Sequence, residues 1–103
     1  MNVTNKSKSI VTTIGMFTDW LETIASSKQL SGEDFRVLLT LLANAEGFSV
    51  EIPQTEIAQK LDLQTTHVSR SIKNLCANGF IEKKKIGGKL VGYHFVVAES
   101  NRI

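Results

Sequence analysis

Between Ile57 and Ile81 the chain reads IAQKLDLQTTHVSRSIKNLCANGFI, and the spacing of its apolar residues leaves few arrangements open. Ile57, Ala58, Leu61, Leu63, Val68, Ile72 and Leu75 fit two helices broken by a short turn. The pattern predicts a brief helix over Gln54–Leu61. A longer one follows, starting at Thr65 or Thr66 and stopping at Gly79, a residue suited to a left-handed C-terminal cap. Asp62-Leu63-Gln64 is the tight connection between them, with Asp62 turning the chain and Leu63 dropping into the core.

Beyond Gly79, the runs Phe80–Ile86 and Leu90–Val97 read as two strands. Gly87-Gly88 between them permits positive φ in a two-residue hairpin turn. Phe48–Ile52 alternates apolar and polar residues ahead of the first helix, so it reads as a third strand able to cover one edge of the hairpin. Strand, helix, turn, helix and hairpin, in that order, make a winged helix-turn-helix, the arrangement that lays a helix in the DNA major groove. The expected class is α+β, mainly α, with a three-stranded antiparallel wing sheet.

The N-terminal part carries helical spacing of its own. Ile10, Ile14, Phe17, Leu21 and Ile24 recur on one stripe, widened by Val11 and Trp20, and predict a long helix over residues 10–28. Gly15 is a kink or a close-packing point, and an extended first part is the other reading. Ser31-Gly32-Glu33-Asp34 resembles a capping box opening the next helix, whose expected apolar face is Phe35, Leu38, Leu39 and Leu42, with Ala43 at its end.

A chain of 103 residues that is 42% hydrophobic is long enough for one core, expected over residues 10–103 behind a polar leader at 1–9. A single cysteine, Cys76, excludes internal disulfides, and no N-terminal apolar run suits a signal peptide or a membrane span. The expectation is a soluble, cytoplasmic protein. Net charge is only +2 but unevenly spread. From Lys60 to Lys89 seven basic residues stand against two acidic ones, while the rest of the chain has five basic and eight acidic. Positive charge therefore collects on the segment that the helix pattern assigns to DNA.

Candidate contacts follow from that placement. Gln64, Thr65 and Thr66 stand at the start of the second helix of the motif, where free N–H groups and hydroxyls suit phosphate or base contacts. His67, Ser69, Arg70, Lys73 and Asn74 lie off the apolar stripe. Arg70 is the best placed for a bidentate contact to guanine, because only arginine presents that planar fork. Asn74 is the candidate for adenine, against the plainer reading of an exposed residue near a helix end. Thr55 is a plausible phosphate ligand. Lys84, Lys85, Gly87, Gly88 and Lys89 would bring the hairpin to phosphates or the minor groove; the lysine run alone would equally protect a strand edge.

Other chemistries find little support. Cys76 adjoins the apolar stripe, where a small buried residue is the ordinary explanation and redox sensing the rarer one. His67 and His94 lack partners at metal-ligand spacing, so no metal or other cofactor is expected. No Gly-rich phosphate loop or nucleophile–base constellation points to an enzyme.

The segment Ile57-Ala58, Val68-Ser69-Arg70, Leu75 and Gly79-Phe80-Ile81 resembles the winged core of MarR-type regulators. Leu30–Leu39 followed by Val68–Lys73 is similar to the RepL family of plasmid replication proteins. The resemblance spans roughly Leu30 to Val96 and implies a double-stranded DNA binder: a repressor, or a plasmid replication or partition factor. Asp62 stands where such motifs often carry glycine. MarR-type proteins continue into long C-terminal dimerisation helices, whereas this sequence ends soon after its wing. The N-terminal helix, through Ile10, Ile14, Phe17, Trp20, Leu21 and Ile24, is therefore the expected homodimer element. A two-fold dimer implies palindromic or repeated sites. The contrary reading is a winged helix that binds protein and has no DNA site of its own.

Overall fold

The structure, a computed structural model, describes residues 17–97. The expected leader at 1–9 and the stripe positions Ile10 and Ile14 lie outside the described residues. Two compact units divide the chain: residues 17–27 fall in one, and Lys28–Val96 forms the other.

In the first unit, α1 is helical over residues 17–25 and ends short of the expected 28. The Ser26 hydroxyl bonds the Glu22 carbonyl at 2.7 Å, and the Ser27 N–H turns back to the Ile24 carbonyl at 3.0 Å. Serines that offer the backbone such local partners favour helix ends. Trp20 and Ile24 are buried, Leu21 is exposed, and the Phe17 and Trp20 ring centroids lie 5.5 Å apart.

The second unit runs α2 (Gly32–Ala43), β1 (Ser49–Val50), α3 (Gln54–Leu61), α4 (Thr65–Ala77), β2 (Ile81–Ile86) and β3 (Lys89–Phe95). This is the winged helix-turn-helix order read from the sequence. A reciprocal capping box opens α2: the Ser31 hydroxyl accepts from the Asp34 N–H at 3.1 Å, and the Asp34 carboxylate accepts from the Ser31 N–H at 2.9 Å. Its buried face is Asp34, Val37, Leu38 and Leu41, which corrects the expected stripe. Leu39 is 62% exposed, and Phe35 and Leu42 are only half-buried. The true stripe follows i, i+3, i+4, i+7 from the capping aspartate, a polar start that hydrophobicity alone conceals.

Left-handed residues end both helices of the motif. Asp62 has φ 56°, and the Leu63 N–H reaches back to the Ala58 carbonyl at 2.9 Å. Among the described residues Asp62 is the one non-glycine with positive φ, at a cost of about 1 kcal/mol over glycine. Leu63 is half-buried rather than inside the core. At the end of α4, Gly79 has φ 79°, the Phe80 N–H bonds the Leu75 carbonyl and the Gly79 N–H bonds that of Cys76, both at 3.0 Å. Those two bonds are the Schellman pair, so Gly79 performs the capping role its position implied.

The antiparallel sheet has the order β1-β3-β2. Gly87 and Gly88, with φ 60° and 80°, make the hairpin turn. Lys84 faces Gly92 and Lys85 faces Leu90, which leaves Val91 as a bulge near the tip. β1 covers the edge of β3, as expected, but keeps only two residues of the expected Phe48–Ile52 strand. The crossing is close. A Cβ on Gly92 would overlap the Val50 carbonyl oxygen and come within 2.9 Å of the Glu51 Cα. Val37, Leu38 and Leu41 of α2 bury against α3 and α4 with Ile57, Val68, Ile72 and Leu75, and Ile81, Tyr93 and Phe95 bury beneath the sheet. Each such side chain contributes ~1.5–3 kcal/mol. The core thereby fixes α4 with one face inward and the opposite face free.

Candidate nucleic-acid interface

α4 presents three lengthwise strips. Val68, Ser71, Ile72 and Leu75 are buried. Thr66, Arg70 and Lys73 lie on the outside, with Ser69 half-exposed beside them. A flank of His67, Arg70, Ser71 and Asn74 meets the first turn of α2. Gln64 takes the N-cap position without a side-chain cap bond. The His67 N–H bonds the Gln64 carbonyl at 3.0 Å, which leaves the Thr65 and Thr66 N–H groups to face an anion. Thr55, Gln64, Thr65 and Thr66 line one open groove at the elbow between α3 and α4, together with Asp62 and Leu63. The structure therefore brings together the four residues that sequence position nominated separately.

The elbow is braced from behind. Arg36 of α2 donates from Nη2 to the Leu61 carbonyl at 3.0 Å, completing the C-terminus of α3 beside the left-handed Asp62. Sequence position does not nominate Arg36. Its role depends on a contact 25 residues away in sequence, which no local pattern announces.

Asn74 is placed differently from the adenine-reading candidate. Its amide donates to the Asp34 carboxylate at 2.6 Å and to the Gln29 carbonyl at 3.0 Å, and its own oxygen accepts from Asn78 at 3.2 Å. Ser71, almost fully buried, also hydrogen-bonds to Asp34. Burial pushes the Asp34 carboxyl up, but the Ser31 N–H and the Ser71, Asn74 and Ser31 side chains outweigh it and hold the group below its ordinary 3.8. This polar knot joins α2 to α4 and sets the rotation of the outward strip. A signal for it existed in the sequence. Asp34 and Ser71 both fall at stripe spacing within otherwise apolar faces, and two such polar residues on packed helices are candidates for one another.

Charges that looked free in the sequence are partly paired in space. Arg70, with its side chain 70% exposed, has Nη2 3.7 Å from the Glu33 carboxylate, whose other oxygen lies 3.3 Å from His67 Nδ1. Lys84 is bonded to Glu51 at 2.7 Å on the face away from Lys83 and Lys85, and Lys60 lies 4.0 Å from Glu56. All three acids come from outside the basic segment. Lys73, Lys83, Lys85 and Lys89 have no acidic partner among the described residues. β2 is an edge strand, so its lysines also guard that edge, and Lys85 and Lys89 flank the glycine turn at the hairpin tip.

Cys76 is half-buried, and burial, with Glu82 nearby, raises its thiol against the opposing effect of Lys83. A raised thiol is poor in thiolate, as the structural reading of this residue requires. Among the described residues no group of His, Cys, Asp and Glu could hold a metal ion, and no helix is long and apolar enough to cross a membrane.

A braced helix-turn-helix with a polar, cationic outer helix face and a basic hairpin defines a winged-helix DNA-binding domain. The sequence profile of the MarR family matches residues 28–88, more than half of the chain and nearly all of the second unit. The protein belongs to the MarR family and is a DNA-binding transcriptional regulator, a class of regulators rather than enzymes. No curated protein matches the chain.

Proposed function

We propose that the protein binds specific sites in duplex DNA as a homodimer, with α4 in the major groove and the hairpin against phosphates or the minor groove. One observation carries this reading. Every large apolar side chain of α4 is buried, and what is fully exposed is hydroxyl and cation apart from the small Ala77. A helix that docked on a protein would instead present aromatic or aliphatic anchors. In this reading Arg70 reads a base, Lys73, Thr55, Gln64, Thr65 and Thr66 hold phosphates, and Ser69 and His67 border the contact. Lys85, Gly87, Gly88 and Lys89 form the wing contact. Lys84, held by Glu51, and Asn74, held by Asp34, serve the scaffold behind it.

The role is that of a repressor at a palindromic operator, working in the cytoplasm without a cofactor. Its dimer contact is the N-terminal helix, where Leu21 is the exposed member of the described stripe. The RepL-like segments Leu30–Leu39 and Val68–Lys73 support the second reading, a plasmid replication or partition factor. Selection of native host and plasmid fragments at ~150 mM salt, a concentration that suppresses non-specific phosphate binding, separates the two. One palindrome over a promoter indicates a repressor; iterated sites in an origin or noncoding array indicate replication or partition. Charge reversal in Arg70→Glu/Lys73→Glu is expected to abolish retention while leaving the melting temperature unchanged. Undiminished binding by that folded variant would sink the assignment of α4, and no enrichment by the native protein would favour a protein partner.

A further inference from the structure

Glu33 stands in the first turn of α2, where the helix dipole alone favours a carboxylate. Its contacts, however, are not those of a cap, because Ser31 and Asp34 already complete the capping box. Both carboxylate oxygens turn instead toward α4, one to His67 Nδ1 at 3.3 Å and the other to Arg70 Nη2 at 3.7 Å. These partners are three residues apart on the flank that borders the outward strip. A carboxylate there faces any polyanion that approaches α4, and it weakens every phosphate contact nearby. Such a group lowers raw affinity. What it adds is discrimination, since a repulsive element penalises the wrong partner more than the right one.

We infer that Glu33 sets the specificity of this interface by orienting Arg70 toward a guanine edge and opposing its capture by phosphate. The inference rests on α4 being the reading helix. Arg70 touches Glu33 through one terminal nitrogen while its side chain stays 70% exposed, so the rest of the guanidinium fork is open to two acceptors of a base. A guanine edge leaves the pair with Glu33 in place. A phosphate that draws Arg70 outward breaks the pair and leaves the carboxylate facing DNA charge alone. Glu33 is in this sense a positioning residue that acts through Arg70.

The test is Glu33→Gln in the full chain, with affinity for the selected site and for random duplex measured across a range of salt. Loss of the charge is expected to raise random-duplex affinity several-fold and steepen the salt dependence by about 0.9 in logarithmic slope. The ratio of specific to random affinity is expected to fall about fivefold or more. A purely structural role would lower both affinities together and leave the slope alone. In an Arg70→Gln background the effect of Glu33→Gln on the ratio should vanish, because the two act as one unit. Glu33→Asp, which keeps the charge, should retain most of the discrimination and covers the case in which the glutamine variant folds poorly. An unchanged ratio and slope in a folded Glu33→Gln protein overturns this inference while leaving DNA binding intact. A native protein that binds no duplex overturns the DNA reading and this inference with it.

Discussion

On α4, Arg70 and Lys73 project from a helix locked by core packing and by the Asp34 knot, and Arg70 is paired with Glu33; at the hairpin tip, Lys85 and Lys89 flank two glycines and have no acidic partner among the described residues. Both regions are basic, yet their physics differs. The tip offers unpaired charge on a short ribbon, which suits sequence-blind attraction to phosphate. The helix offers an oriented, partly neutralised cation, which suits reading a base edge. Charge counted along the sequence treats the two alike. Their difference arises because Glu33, Glu51 and Glu56 fold back onto the basic segment at Arg70, Lys84 and Lys60 and leave the tip untouched.

The most damaging single change removes the support of the wing. In Gly92→Ala the new methyl group meets backbone rather than a movable side chain, so β1 must shift from β3. A loss of about 3 kcal/mol is expected by denaturant unfolding. Next comes the knot that orients the helix. Asp34→Ala leaves Ser71 and Asn74 short of a buried acceptor and should cost about 2 kcal/mol. The same group predicts a pH dependence. Because its folded value lies below the ordinary 3.8, the carboxylate contributes stability above about that pH. That contribution is lost as pH falls through the folded value, and an acid titration of melting temperature should show a loss that Asp34→Asn lacks.

Binding variants sharpen the contrast directly. Arg70→Gln should weaken the specific site by ~10–100-fold and relax preference at one base position. Lys85→Ala and Lys89→Ala should weaken all sequences alike and reduce the salt slope by about 0.9 each. If the lysine variants change sequence preference instead, the division between reading helix and charged wing fails. The smallest effect is expected at the elbow. Asp62→Gly removes the left-handed penalty at φ 56° and should be neutral or stabilising by up to about 1 kcal/mol, set against the backbone freedom glycine gains in the unfolded chain.

Much of the fold was legible because its signals are local. Gln54–Leu61 forms as read, α4 begins at Thr65 and is capped through Gly79, and Gly87-Gly88 turns the hairpin. Each depends on residues within a few positions of one another. The errors share a cause. Hydrophobicity places Leu39 on the buried face, where the structure exposes it, and the alternation before α3 predicts a strand longer than Ser49–Val50. In both cases packing against distant elements outvoted local preference. The candidate site divides in the same way. Arg70 and Lys73 stay outward as their spacing implied, whereas Asn74 turns toward Asp34, 40 positions earlier.

The sequence by itself determined the succession of helices and strands, the turn residues, and the concentration of positive charge between Lys60 and Lys89. Periodicity, caps and φ preference act over a few residues, so the chain displays them before it folds. Only the tertiary structure decided that Asp34 is buried with Ser71 and bonded to Asn74, that Arg36 closes α3, and that Arg70 and His67 share Glu33. Those pairs lie 25 to 40 residues apart along the chain, and hydrogen bonds and ion pairs of such short range exist only once packing has brought the helices into contact.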